Sequence, residues 1–143
     1  TGEALIHHAQ ILFIDYLQII GSSKRVESRN VEVSIWSNAI RDAAKRLGVP
    51  VVLLSQLSRD SAKAEKKPTL HDLRDSGSVE QDAYGVILLH HSRDDLGKIV
   101  GSEFLLEKHR GGPTGHLRMS FVGNRQRFEE WSKPEEGRKP HAD

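Results

Sequence analysis

Two short apolar runs bracket a segment of helical periodicity, and that alternation narrows the possible folds more than any other feature. Ile11-Leu12-Phe13-Ile14-Asp15-Tyr16-Leu17 is an apolar run broken by a single acid, and Val51-Val52-Leu53-Leu54-Ser55 is a second run. Continuous apolar runs without polar alternation read as strands buried on both faces, the pattern of parallel sheets. Between them, Val33, Trp36, Ile40, Ala43, Ala44 and Leu47 recur at helical spacing, which predicts an amphipathic helix over about 28–47. Gly48 is placed as its C-terminal stop, with Pro50 just beyond. Strand, helix, strand over this length predicts a right-handed crossover unit of an α/β fold.

Downstream, Gly85-Val86-Ile87-Leu88-Leu89-His90 reads as a third buried strand. Glu103-Phe104-Leu105-Leu106-Glu107-Lys108 and His116-Leu117-Arg118-Met119-Ser120-Phe121 flank Gly111-Gly112-Pro113-Thr114-Gly115, which predicts an antiparallel hairpin at the sheet's edge. Arg127-Phe128-Glu129 adds a last short strand, and Thr69 is placed to cap a short helix over 69–74. The expected organisation is one domain over 1–131, followed by a charged, Pro- and Gly-containing tail over 132–143 expected to be disordered.

Composition bounds the partners. There are 21 Lys and Arg against 20 Asp and Glu, so nucleic-acid binding must come from locally placed groups rather than a generally basic surface. The absence of cysteine excludes disulfides and thiolate zinc sites. No apolar run approaches the ~20 residues of a membrane span and no secretory pattern opens the chain, so a cytoplasmic protein without a membrane partner is the expectation.

Four segments carry candidate chemistry. Asp15 ends a buried strand, where a lone acid is costly unless solvated, paired or bound to a metal, and ligands of α/β sheets bind beyond the strands' carboxyl ends. It reads either as the acid that holds a nucleotide-bound Mg²⁺ or as the cap of the following turn. Gln56, just past the second run, offers a neutral amide to a γ-phosphate or its attacking water; alternatively it bonds only to backbone. In the stretch from Asp72 to Asp82, Arg74 beside a Ser-Gly-Ser turn can present a guanidinium and backbone N–H groups to phosphates, or can be a solvated loop. Lys108 and Arg110, two apart on a strand, project to the same face and can clamp one phosphate, or serve only for solvation. His7-His8 and His90-His91 are adjacent pairs, which a strand would point to opposite faces, so neither makes a metal site by spacing.

Singly these signals are weak, but their order and wording resemble DnaB-type replicative DNA helicases over about residues 12–128. Ile14-Asp15-Tyr16-Leu17-Gln18 resembles the family's Walker B segment, and the stretch from Val49 to Arg59 its next strand and glutamine motif. The stretch from Leu73 to Ala83 is similar to its DNA-facing loop and adjoining motif. Lys108-His109-Arg110-Gly111-Gly112-Pro113-Thr114-Gly115 is similar to the segment bearing its arginine finger. The resemblance implies a RecA-like fold, a mostly parallel sheet with flanking helices and an antiparallel edge hairpin. It implies ATP and Mg²⁺ as cofactors, with Asp15 at the metal and Gln56 coupling nucleotide state to DNA. Arg74, with backbone amides near Asp75 and Gly77, would hold single-stranded DNA. Lys108 and Arg110 would reach the nucleotide of the neighbouring subunit in a homo-hexamer, and primase and a helicase loader would be further partners.

The sequence departs from that pattern at Tyr84, where the family usually has an acid, and at His109 and Gly111, where Gln and Asn are usual; Asp75 replaces a usual Glu. No G-x-x-x-x-G-K-[ST] pattern occurs in the 143 residues, so the portion carrying the phosphate-binding loop is expected to be absent. That portion holds a central strand in the family fold, so open sheet edges or an altered pairing are expected. Two other readings stand beside the helicase: a non-hydrolysing DNA-binding or ring-interaction module, and another RecA-type ATPase.

Overall fold

The computed structural model describes residues 9–20, 28–58, 66–73 and 77–131. The expected tail over 132–143, His7-His8, and the loop residues Arg74 and Asp75 lie outside them. No helix among the described residues is long and apolar enough to cross a membrane.

The expected helix is present as α1, Arg29–Leu47. Its start is set by Ser28, whose hydroxyl accepts from the Val31 amide at 3.4 Å, and by an Arg29–Glu32 ion pair in the first turn. Its end is set by Gly48, whose φ of +65° is the left-handed conformation that glycine adopts at no steric cost. Val33 and Ser37, four apart on one face, are its buried residues. β1 (Leu12–Ile14) and β2 (Val51–Leu53) lie parallel, Phe13 opposite Val52, with α1 as the crossover between them. These strands are not buried on both faces: Phe13 is 67% exposed, and Val52 is exposed beside it.

A second sheet follows the short helix α2 (Gly77–Asp82). It comprises β3 (Gly85–Arg93), β4 (Ile99–His109), β5 (Gly115–Val122) and β6 (Arg127–Glu130), paired in that order and antiparallel throughout. The hairpin and last strand expected from sequence are here. The expected mostly parallel sheet is corrected by β3, which pairs with β4 and not with β1 or β2. Its antiparallel pairing with β4 is set by the turn at 94–98. Asp94 accepts through Oδ1 from the Leu96 and Lys98 amides at 3.0 and 2.9 Å, and Gly97 takes φ +77°. An Asp that nucleates a turn plus a glycine free to enter the left-handed region makes a tight reversal, and a strand so joined to its successor pairs antiparallel. Alternation then replaces full burial in β3: Leu88 is buried, while Ile87 and Leu89 are exposed.

Leu88 and Leu105, in register on β3 and β4, form the buried heart of this sheet; Leu17 and Val33 form that of the β1–α1–β2 unit. Thr69 does cap a helical turn, the 3₁₀ segment Leu70–Asp72, through its amide and hydroxyl on Asp72 Oδ2 at 2.7 and 3.0 Å.

Candidate functional site

Asp15 follows β1 directly and Gln56 lies just beyond β2, so both sit past the carboxyl ends of neighbouring parallel strands, and both are exposed. The backbone continues the pairing past the strands: the Leu54 amide donates to Ile14 O and the Leu17 amide to Leu54 O, each at 2.9 Å. The Asp15–Tyr16 peptide is cis. Gln18 then laces the two segments together. Its Nε2 donates to Ser55 Oγ at 2.9 Å, and its Oε1 accepts from the Gln56 amide at 3.2 Å. Gln18 is in turn held by Arg29 of α1, which donates to its carbonyl at 2.8 Å. The sequence motif around Gln18 assigns it no role of its own, although an amide four residues past a strand that ends at Ile14 is a usable signal. Its effect is to fix the backbone of Gln56 while leaving that side chain exposed.

Gly77 opens α2, which is strapped to α1 from behind. Ser34 Oγ donates to Ser78 Oγ at 3.0 Å, Ser37 Oγ donates to Asp82 Oδ2 at 2.7 Å, and Arg41 forms an ion pair with Asp82. The other end of α2 meets the end of β4. Lys108 Nζ donates to the carbonyls of Glu80 and Gln81, the latter at 3.1 Å, and Arg110 donates to the Gln81 carbonyl. Cations at a helix's carbonyl end satisfy acceptors that have no partner within the helix. The two cations expected to share a phosphate are therefore together, and here they share the Gln81 carbonyl.

Tyr84, His109 and Gly111, the three departures that surround Lys108 and Arg110, are mutual neighbours. The Tyr84 and His109 rings meet edge to face with centroids 5.6 Å apart. A Cβ on Gly111 would fall 2.1 Å from the Tyr84 hydroxyl. Sequence offers no means of seeing this, because residues 84 and 111 meet only through the β3–β4 register.

Elsewhere, His91 lies against the aromatic residues of β5 and β6. Its ring stacks on Phe128 with centroids 5.8 Å apart and bonds Ser102 Oγ at 2.8 Å. Burial, then the nearby Arg93 and His90, lower its pKa below the ordinary histidine value. Glu103 is held below the usual carboxylate range chiefly by its hydrogen bond to Lys67, with which it forms an ion pair at 2.7 Å; burial opposes the shift.

In chemical terms, the β1–β2 end carries a hard oxygen donor after one strand and an amide beyond the other, groups suited to Mg²⁺ and to phosphate or water. The β4 end presents two clustered cations, suited to an anion.

The family model for the DnaB-like helicase C-terminal domain matches residues 3–130. A replicative DNA helicase DnaB of Leifsonia xyli subsp. xyli is 46% identical over 123 residues, covering 83% of this chain and 27% of that protein. A probable plasmid replicative DNA helicase of Chlamydia psittaci is 49% identical over 114 residues, covering 77% of this chain and 25% of its own length. The chain thus spans about a quarter of the length of these relatives. Among solved structures, an isolated ATPase domain superposes with a TM-score of 0.75 at 36% identity, over 85% of this chain and 44% of that one. A DnaB-like replicative helicase described with its interactions with primase superposes with a TM-score of 0.74 at 35% identity, over 85% and 30%.

Proposed function

The chain belongs to the DnaB-like helicase C-terminal domain family, and on that premise we propose that it forms part of the ATP-driven motor of a hexameric replicative helicase that translocates on single-stranded DNA. The observation that carries this reading is the division of the site. Asp15 follows β1 and Gln56 lies beyond its parallel partner β2, whereas Lys108 at the end of β4 and Arg110 in the turn after it rest on the carbonyl end of α2. An acid and an amide in one place and paired cations in another is the division of labour of a site completed by a neighbouring subunit.

Asp15 is the residue that would hold Mg²⁺ bound to ATP; its exposed carboxylate at the end of β1 fits that donor chemistry. When bound, the ion neutralises charge on the phosphates. Gln56, its backbone pinned by Gln18, would offer its exposed side-chain amide to the phosphate or the attacking water. Lys108 and Arg110 carry the positive charge that the neighbouring subunit's transferring phosphoryl group requires, and a cation supplied in trans accelerates such steps by about a thousandfold or more. Arg74, with the amides near Asp75 and Gly77, holds DNA phosphates just ahead of α2. Gly77 opens α2, whose carbonyl end accepts from Lys108 and Arg110. The similarity to a helicase described with primase supports primase as a partner of the whole protein.

The test is a pair of substitutions in the full-length protein. Arg74→Ala should weaken single-stranded DNA binding and flatten its salt dependence by roughly 0.7 in the log–log slope, leaving basal hydrolysis largely intact. Arg110→Ala should do the reverse in assembled rings. Unchanged DNA affinity and slope in Arg74→Ala would remove the DNA-channel reading of that segment.

A further inference from the structure

Three consecutive residues at the end of β4 are gripped by one side chain and its own backbone. The Arg110 amide donates to Tyr84 O at 2.9 Å. On one side of Arg110, the His109 ring meets the Tyr84 ring edge to face, at 5.6 Å and 73°. On the other side, the Gly111 backbone lies so close under the Tyr84 hydroxyl that an added Cβ would stand 2.1 Å from it and 3.2 Å from the ring carbon that bears it. Gly112 is similarly close to His109, whose Nδ1 would be 3.1 Å from a Cβ there. Neither glycine has a positive φ; a Cβ at Gly111 would displace the end of the Tyr84 side chain, and one at Gly112 would need the His109 ring to give by a few tenths of an ångström.

We propose that Tyr84 is the positioning residue of Arg110, holding 109, 110 and 111 as one unit so that the guanidinium leaves the strand in a fixed direction. This rests on the reading of Arg110 as the cation supplied in trans, and adds what aims that cation. An arginine on a Gly-Gly turn is otherwise poorly aimed, because the backbone after it has two residues without side chains to pack. The Arg110 guanidinium is tied at its tip to the Gln81 carbonyl, and the ring of Tyr84, though 63% exposed, constrains the backbone from which it leaves. Its place between α2 and β3 makes that constraint consequential: Gln81, whose carbonyl accepts from both Lys108 and Arg110, lies three residues before it. Tyr84 thus sets where the end of β4 sits relative to the end of α2, and its effect on hydrolysis is exerted through Arg110.

The experiment is steady-state ATP hydrolysis by assembled rings of the full-length protein carrying Arg110→Ala, Tyr84→Ala, Gly111→Ala, Gly111→Ala with Tyr84→Ala, and Gly111→Ala with Tyr84→Phe. Misplacing a catalytic group by about an ångström costs up to roughly a hundredfold. Tyr84→Ala and Gly111→Ala should therefore each lower kcat by about tenfold, with KM for ATP and the thermal unfolding midpoint unchanged. Tyr84→Ala added to Gly111→Ala should cause no further loss, because both break the same unit. Tyr84→Phe should restore much of the kcat lost in Gly111→Ala, since it removes the one atom in severe conflict. Parental kcat in both single variants, with Arg110→Ala inactive, would overturn the positioning role and leave the trans-acting cation standing. So would a rise in KM alone, or losses that multiply in the double variant. Retained kcat in Arg110→Ala would overturn the reading of Arg110 itself, and the positioning role with it.

Discussion

In the β3–β6 sheet each strand meets its partner across a short turn, whereas β1 meets β2 only across the 19 residues of α1. β1 and β2 are wholly apolar in sequence and the strands of the larger sheet mix apolar with polar residues, yet the more apolar pair is the less buried. Leu105, at the centre of β4, is fully buried, while Phe13, at the centre of β1, is two-thirds exposed. Hydrophobicity states how much surface gains from burial; the connection determines whether the neighbours needed to bury it are close in sequence. Hairpins bring their own neighbours. A parallel pair needs a crossover and further layers on both faces, and its free edges and faces are open to whatever else packs there. Asp15 and Gln56 lie just past the strands of the dependent sheet, Lys108 on β4 of the self-sufficient one and Arg110 in the turn that follows it.

The largest expected effect tests whether the two sheets serve sites on different subunits. Rings of full-length Asp15→Asn and rings of Arg110→Ala should each lose about a thousandfold or more in hydrolysis. Mixed rings should regain turnover that neither has alone, because some interfaces then pair an intact acid with an intact cation. If no mixture recovers, both residues act within one subunit and the proposed division of labour between the sheets collapses.

A smaller effect sharpens the contrast in burial. Leu105→Ala should cost about 2–5 kcal/mol of unfolding free energy, read from denaturant titration of this chain, since it leaves a cavity between β3 and β4. Phe13→Ser should stay within about 0.5 kcal/mol, as exposed positions do, while reducing self-association in light scattering. Comparable losses at the two positions would mean that β1 is buried in solution.

The smallest effect is electrostatic and confined to the antiparallel sheet. His91 and Glu103 both have pKa values lower in the folded chain. The unfolded chain therefore takes up protons first on acidification, so stability is highest at neutral pH and falls with pH. The His91 contribution should be lost as pH drops below about 6.5, and the Glu103 contribution below about 4.3. Lys67→Met should flatten the lower step and His91→Phe the upper, with unfolding midpoints against pH as the readout. Stability that rises on acidification through either window would contradict the assigned environments.

Local features are legible where the responsible atoms are near in sequence. Ser28 and Gly48 bound α1 because a cap acts on the turn beside it, and the Gly111–Gly115 reversal announces β4 and β5. The turn at 94–98 is also legible in principle, from an Asp followed three residues later by Gly. The apolar run before it points toward a parallel strand instead. The candidate residues are legible as a set by resemblance, and Asp15 also by physics, as an acid ending an apolar run. Gln18 is not, because its partners Ser55 and Gln56 lie 37 and 38 residues away.

The sequence by itself determined α1, the approximate strands, several caps and turns, and which residues carry charge near strand ends, because those depend on interactions within a few residues; the helix Gly77–Asp82 it did not announce. Only the tertiary structure decided that Gln18 pins Gln56, and that Lys108 and Arg110 rest on the carbonyl end of α2. It alone brought Tyr84 over Gly111. Each of these is a pairing across tens of residues, fixed by register and by competition among alternative partners, and no local pattern encodes the outcome of that competition.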